Sequence, residues 1–207
     1  KMKKILANVL PELELDTNIA IIGSGGQLLN DEIGNEIDSF AEVVRFNRAP
    51  TEGFEKHVGS KTTLRIANNH VFENIPHGDN DESWKDTGQP TNFILDQRNQ
   101  RIMLLNKHTE GWKHRDVHVH ESCQKFLGDF NKAEFYGDVY APTVGFAFIV
   151  LCLLDDITPT LFGFGIEEDS NSASHYWEDK GKNTSHKYGH ERERLKEWVT
   201  EGLLVIK

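Results

Sequence analysis

The segment Asn18-Ile19-Ala20-Ile21-Ile22, followed by Gly23-Ser24-Gly25-Gly26, constrains this chain more than any other. Four apolar residues in a row leave a strand no polar face, so it must be covered on both sides, as strands of parallel sheets are. The glycines then predict a tight turn. Downstream, Leu28, Leu29, Ile33, Ile37 and Phe40 recur at roughly helical spacing and predict a helix over 27–40. Val43, Val44 and Phe46 return to strand character over 42–47. Strand, glycine turn, helix and strand in that order open a doubly wound α/β sheet.

The remainder fits that plan. Phe93-Ile94-Leu95, Ile102-Met103-Leu104-Leu105 and, less strongly, Val117-His118-Val119 read as further strands. Val144 to Leu154 is apolar throughout after Pro142, which predicts a buried helix with proline near its start. Leu161 to Gly165 reads as a strand running into a glycine turn, and Glu191 to Thr200 as a closing helix. Residues 73–90, polar around Trp84, and residues 167–185 read as loops. A chain of 207 residues suits one domain with a substantial core. The expectation is a single α/β domain over 1–207, doubly wound, with a mainly parallel, Rossmann-like sheet.

Composition removes several classes. Hydrophobic content of 37% and charged content of 27% are those of a folded globular chain. A net charge of -10 opposes a nonspecific nucleic-acid binder, which needs a basic face. Cys123 and Cys152 alone make neither a disulfide scaffold nor a four-ligand zinc site. Lys1 ahead of Met2 reads as a remnant of expression, and Ile5 to Leu10, cut short by Pro11, is too brief for the apolar part of a signal peptide.

A glycine turn between strand and helix points backbone N–H groups and a positive helix end at one spot, where an anion can sit. Gly23, Gly25 and Gly26 are thus candidates to cradle a nucleotide phosphate, and a ligand-free tight turn fits them equally. A dinucleotide-binding oxidoreductase is disfavoured, because Leu28 stands where the third glycine of that fingerprint belongs and Asn47 where the ribose-binding acid does.

Longer segments are more specific. The glycine turn continues into Gly34-Asn35-Glu36-Ile37-Asp38, Arg45-Phe46-Asn47-Arg48-Ala49-Pro50 and Val58-Gly59-Ser60-Lys61-Thr62-Thr63. Further on stand Pro142-Thr143-Val144-Gly145 with Phe162-Gly163-Phe164-Gly165, then His175-Tyr176-Trp177-Glu178, then His186-Lys187-Tyr188-Gly189-His190-Glu191. In this order they resemble the large, small, third and very small motifs of the eukaryotic-type sialyltransferase family. Ser24 stands where that family usually has asparagine, and Val144 replaces a hydroxyl residue.

The resemblance implies a variant GT-A glycosyltransferase architecture and an inverting transfer of sialic acid from CMP-sialic acid to an acceptor hydroxyl. The donor is a substrate, and neither cofactor nor metal is implied. His186 would be the general base, with an imidazole titrating near operating pH. His175 would donate a hydrogen bond to the CMP phosphate, with Tyr176 a weaker candidate. Gly23, Ser24, Gly25 and Asn47 would line the donor site, and Thr143 and Gly145 would meet the sugar carboxylate or the cytidine. His190 competes for the base role, and Glu191 is read as an acidic residue at a helix start. Arg45 and Arg48 either balance donor charge or form structural pairs. His108, His114, His118 and His120 invite a metal, yet a packed or solvated strand is the stronger reading.

The partners implied are a CMP-sugar donor and a glycan or glycoconjugate acceptor, with no nucleic acid and no transmembrane segment. A donor carrying 3-deoxy-octulosonic acid and a non-catalytic sugar-nucleotide binder are the alternatives. The resemblance also places Ile19 and Leu154 where the family has bridged cysteines. Their joint loss gives the expectation of a cytoplasmic, bacterial or viral-type member, or of the Golgi lumen if an N-terminal anchor is missing.

Overall fold

The computed structural model describes residues 15–47, 49–67, 101–104, 117–119, 143–165, 175–177 and 188–207. Along these the chain forms β1 (Ile19–Ile22), a 3-10 turn (Gly26–Asn30), α1 (Gly34–Asp38), β2 (Glu42–Phe46), α2 (Glu55–Val58) and β3 (Leu64–Ala67). It continues with β4 (Arg101–Leu104), β5 (Val117–Val119), α3 (Val144–Leu154), β6 (Thr160–Phe162), α4 (Tyr188–Thr200) and β7 (Val205–Ile206).

The apolar run after Asn18 becomes β1 at the heart of a seven-stranded sheet ordered β5-β4-β3-β2-β1-β6-β7. Every pairing is parallel. Strands are laid outward from β1 to β5, and the chain then returns to place β6 on the other side of β1. The order reverses between β1 and β6. At such a reversal the loops leaving neighbouring strands diverge, and ligands of open α/β sheets bind outside the carboxyl ends of the strands there.

Side-chain alternation divides β1 between two cores. Ile19 and Ile21 join Val44, Leu64, Ile66 and Leu161 under α3, with Leu195 of α4. Ala20 and Ile22 face the other way, with Leu28, Ile37, Val43, Val58, Phe162 and Tyr176. A helix apolar all round must be covered all round, and residues 146–152 of α3 are buried. Phe146 stacks on Trp198 of α4, ring centroids 5.4 Å apart, so α4 seals part of the outer side of α3.

The expected elements form with four differences. The helix over 27–40 is instead a 3-10 turn and a separate α1, parted by Asp31, whose backbone is extended (φ -127°, ψ 153°). Strand β3 escapes the pattern reading because Arg65 interrupts it, yet Arg65 is buried, donating to the carbonyls of Asn47 and Ala49 at 3.0 Å each. Helix α4 begins at Tyr188 rather than Glu191. The two-residue β7 owes its existence to pairing with β6, which no local pattern announces. The expected strand over 93–95 and the loop over 73–90 lie outside the described residues.

Candidate functional site

Gly23 leaves β1 and Gly163 leaves β6, the two strands that flank the reversal. The Gly23 N–H donates to Phe162 O at 2.7 Å and the Gly25 N–H to Gly163 O at 3.1 Å. A side chain has no room here: a Cβ on Gly23 would stand 2.6 Å from the Gly163 oxygen. Gly163 itself has φ +73°, a left-handed conformation that favours glycine. The first bend is therefore stitched to the end of β6.

This refines the phosphate-cradle expectation. The Gly23 and Gly25 amides are engaged by the carbonyls of Phe162 and Gly163, so an anion contact from the bend falls to Ser24 and Gly26. The element that follows is a five-residue 3-10 turn, which supplies far less end charge than the long helix expected.

The third motif docks onto the same bend. The Tyr176 N–H donates to Ser24 O at 2.8 Å, joining residues far apart in sequence. The Tyr176 ring is buried against Phe54, at 5.1 Å between centroids, and its hydroxyl donates to the Pro50 carbonyl. Burial pushes that phenol up to about 12, against the opposing charges of Arg45 and Arg65. The hydroxyl would have to leave Pro50 before donating to a phosphate, so the contact shown is one that seats the motif. His175 stacks on Trp177 with centroids 4.6 Å apart and planes 17° from parallel, which fixes the imidazole's plane.

Asn47 closes the carboxyl end of β2 with φ +48°, a region asparagine tolerates better than most residues. Its N–H donates to Ile66 O at 2.7 Å and its carbonyl accepts from Arg65. Arg45, fully buried, donates to the carbonyls of Val58 and Lys61 and to the Thr62 hydroxyl. Those bonds make it a structural tie of the Val58-to-Thr63 segment. Asp38 holds the same segment, accepting from the Ser60 and Lys61 N–H groups and the Ser60 hydroxyl. Burial raises the Asp38 carboxyl, but these donors and Arg45 outweigh it and leave its pKa lowered.

Thr143 caps α3, its hydroxyl accepting from Phe146 N–H at 3.2 Å. It is also held by Glu191 of α4: the carboxylate accepts the Thr143 N–H at 2.7 Å and its hydroxyl at 2.8 Å. Sequence reasoning placed Glu191 at a helix start and missed this link, because nothing local says which distant donor an acidic residue will meet. Gly145, in the first turn of α3, sits against Phe164: a Cβ there would be 3.2 Å from its ring and 3.7 Å from Phe46.

The structure thus brings together Gly23, Ser24, Gly25, Gly163, His175 and Tyr176, with Asn47 at the adjacent strand end. Thr143 and Gly145 form a second group at the start of α3. His186, Arg48, Trp84, Cys123, His108, His114 and His120 lie outside the described residues. His190 is exposed in the first turn of α4. Among the described residues no group of three or more His, Cys, Asp or Glu side chains is placed to hold a metal ion. No helix among them is long and apolar enough to cross a membrane.

Comparison with known proteins bears on the family and the fold. The family glycosyltransferase family 29 (sialyltransferase) matches residues 15–119. Beta-galactoside alpha-2,6-sialyltransferase 2 of Homo sapiens is 52% identical over 58 residues, 28% of this chain and 11% of that protein. Its Xenopus tropicalis counterpart is 50% identical over 68 residues, 32% of this chain and 13% of that protein. The alignments therefore span only a small part of these relatives. A crystal structure of a mammalian sialyltransferase in complex with Gal-beta-1-3GalNAc-ortho-nitrophenol superposes with a TM-score of 0.65 at 21% identity, covering 91% of this chain and 68% of the other. The sialyltransferase CstII from Campylobacter jejuni, in complex with the substrate analogue CMP-3FNeuAc, gives 0.51 at 16% identity, covering 91% and 80%. At these identities the two structures establish a shared α/β fold.

These relatives correct the expectation of a cytoplasmic bacterial or viral-type protein. The sequences matched at about half identity are vertebrate beta-galactoside alpha-2,6-sialyltransferases, neither bacterial nor viral. Ile19, which the resemblance sets at a cysteine position, is 1% exposed and packs within the core.

Proposed function

The chain belongs to glycosyltransferase family 29, the sialyltransferases, and from that premise we propose that it moves sialic acid from CMP-sialic acid to an acceptor hydroxyl by inverting displacement. One observation supports this reading most: the third motif's backbone is bonded to the glycine bend, Tyr176 N–H to Ser24 O, at the sheet's reversal point. The bond sets two motifs distant in sequence side by side where ligands of open α/β sheets bind.

In this reading residues 1–207 form one catalytic domain. His175, held flat against Trp177, offers a ring N–H to the departing CMP phosphate, stabilising charge that grows as the glycosidic bond breaks. Ser24 and Asn47 border the nucleotide, and the Gly145 backbone borders the sugar. His186 takes the acceptor's proton as general base. The family resemblance implies neither a resident cofactor nor a metal, and the charge on the departing phosphate is met by the protein's own donors. A β-galactoside is the first acceptor to try, because that is the acceptor named for the relatives.

The test is calorimetric titration with CMP, UMP and AMP, followed by transfer assays with CMP-sialic acid and CMP-3-deoxy-octulosonic acid. CMP should bind best, and sialic acid should be transferred. The His186→Ala variant should retain CMP binding and lose about 100- to 10,000-fold in kcat. Binding of CMP with no transfer from either donor would leave a sugar-nucleotide binder, and no preference for CMP would defeat the proposal outright.

A further inference from the structure

We propose that Arg65 is a positioning residue for nucleotide binding: from β3 its guanidinium holds Asn47 in the conformation that faces the donor. The inference rests on the sialyltransferase reading above. Arg65 is 2% exposed, and the strand register sets it beside Arg45, itself fully buried, on the neighbouring strand β2. Desolvating two guanidiniums side by side costs free energy that an apolar pair would avoid. Core packing alone therefore does not account for an arginine here.

What the arginine adds is a fork of two hydrogen bonds. Its Nη1 carries two hydrogens and donates to Asn47 O and to Ala49 O, each at 3.0 Å. Asn47 needs such a hold. Its φ of +48° is a left-handed conformation that a residue other than glycine keeps only where its surroundings impose it. Strand β3 grips it from both ends, because the Asn47 N–H donates to Ile66 O at 2.7 Å while Arg65 takes the carbonyl. With both peptide groups fixed, the direction in which the Asn47 side chain leaves the backbone is fixed too. The second arm of the fork reaches Ala49, one residue before Pro50, whose carbonyl accepts the Tyr176 hydroxyl. Arg65 thus secures the loop on which the assigned nucleotide contact and the third motif are both seated. It acts through Asn47, with no substrate contact of its own.

The test compares the wild type with R65M, which keeps an unbranched side chain and loses both donors, and with R65K, N47G, R65M/N47G, R65K/N47G and the control L204A. Glycine at position 47 accepts a positive φ without strain and has no side chain to aim. Leu204 is 2% exposed and precedes β7 at the amino edge of the sheet, so L204A destabilises the fold away from the site. Calorimetry reads Kd for CMP, transfer assays read kcat and KM for CMP-sialic acid, and thermal unfolding reads stability.

R65M should bind CMP about 10- to 100-fold more weakly, with KM rising in parallel and kcat kept within about fivefold, since a nucleotide contact is made alike in ground and transition states. N47G should lose about as much. In the N47G background R65M should change Kd by less than about twofold, because its effect passes through the missing side chain. R65K should fall between R65M and the wild type, an ammonium lacking the planar fork. L204A should melt lower and bind CMP as the wild type does. The inference is overturned by wild-type CMP binding in R65M or in N47G, by a loss in R65M that persists in the N47G background or is confined to kcat, or by an equal loss of CMP binding in L204A. If R65M does not fold, R65K decides by the same comparison: weakened binding that vanishes in the N47G background supports the inference, and either wild-type binding or a persistent loss refutes it. A wild type with no preference for CMP defeats the sialyltransferase reading first, and this inference with it.

Discussion

Replacing Gly23 with alanine puts one methyl group where two strands are tied most closely. The new Cβ would lie 2.6 Å from the Gly163 oxygen, 2.9 Å from its carbonyl carbon and 3.1 Å from Phe164 Cδ2. Comfortable carbon–carbon contacts begin near about 3.5 Å and carbon–oxygen contacts near about 3.3 Å, so the two backbones must part by about 0.6–0.7 Å. They are held by the bonds from Gly23 N–H to Phe162 O at 2.7 Å and from Gly25 N–H to Gly163 O at 3.1 Å. Weakening both forfeits about 0.5–1.5 kcal/mol each, and residual overpacking costs about 1–3 kcal/mol. A net loss of about 2–6 kcal/mol should lower Tm by about 4–24 °C for a chain of this size.

The control is Gly53→Ala. Gly53 has φ +83° and nothing within 4 Å of where a Cβ would stand, so only left-handed backbone strain of about 1–2 kcal/mol applies. Thermal unfolding followed by circular dichroism reads both variants, and calorimetry with CMP reads the site. G23A should melt below G53A and bind CMP more weakly. A G23A protein melting within about 2 °C of the wild type would refute the close approach of β1 and β6 ends on which the site is built.

Three further outcomes follow from buried groups. Asp38 has a lowered carboxyl, so its contribution to stability is present above the unfolded value near 4 and is lost as pH falls through the lowered folded value; urea unfolding from pH 2 to 6 should show Asp38→Asn costing stability at pH 6 and little at the acid end. Tyr176, raised to about 12, stabilises fully below the unfolded phenol value near 10 and loses that contribution as pH climbs from 10 to 12. Tyr176→Phe should remove this alkaline decline and cost about 1 kcal/mol near neutrality through the lost bond to Pro50, with denaturant titration as the check. Cys152 is fully buried, and burial, then Asp155, raises its thiol; in a Cys123→Ser background it should react with a disulfide reagent only as the protein unfolds, and prompt labelling of the native protein would contradict the packing of α3.

The local code was sufficient for β1, β2 and α3. An apolar run, a β-branched pair and an eleven-residue apolar stretch behind a proline each admit one economical structure. Ordered motifs were also enough to name the candidate residues, because the types and their succession are properties of the chain. Tertiary structure alone decided the rest. Arg65 hid β3 from a pattern reading, since a buried guanidinium is tolerated only where distant carbonyls from Asn47 and Ala49 receive it. The amides of Gly23 and Gly25 were readable as anion donors until β6 arrived to claim them. Likewise Glu191 was an acid at a helix start until the fold set Thr143 before it. Hydrogen-bond donors and acceptors are fixed by residue type, but their partners are chosen by which segments the sheet order brings side by side.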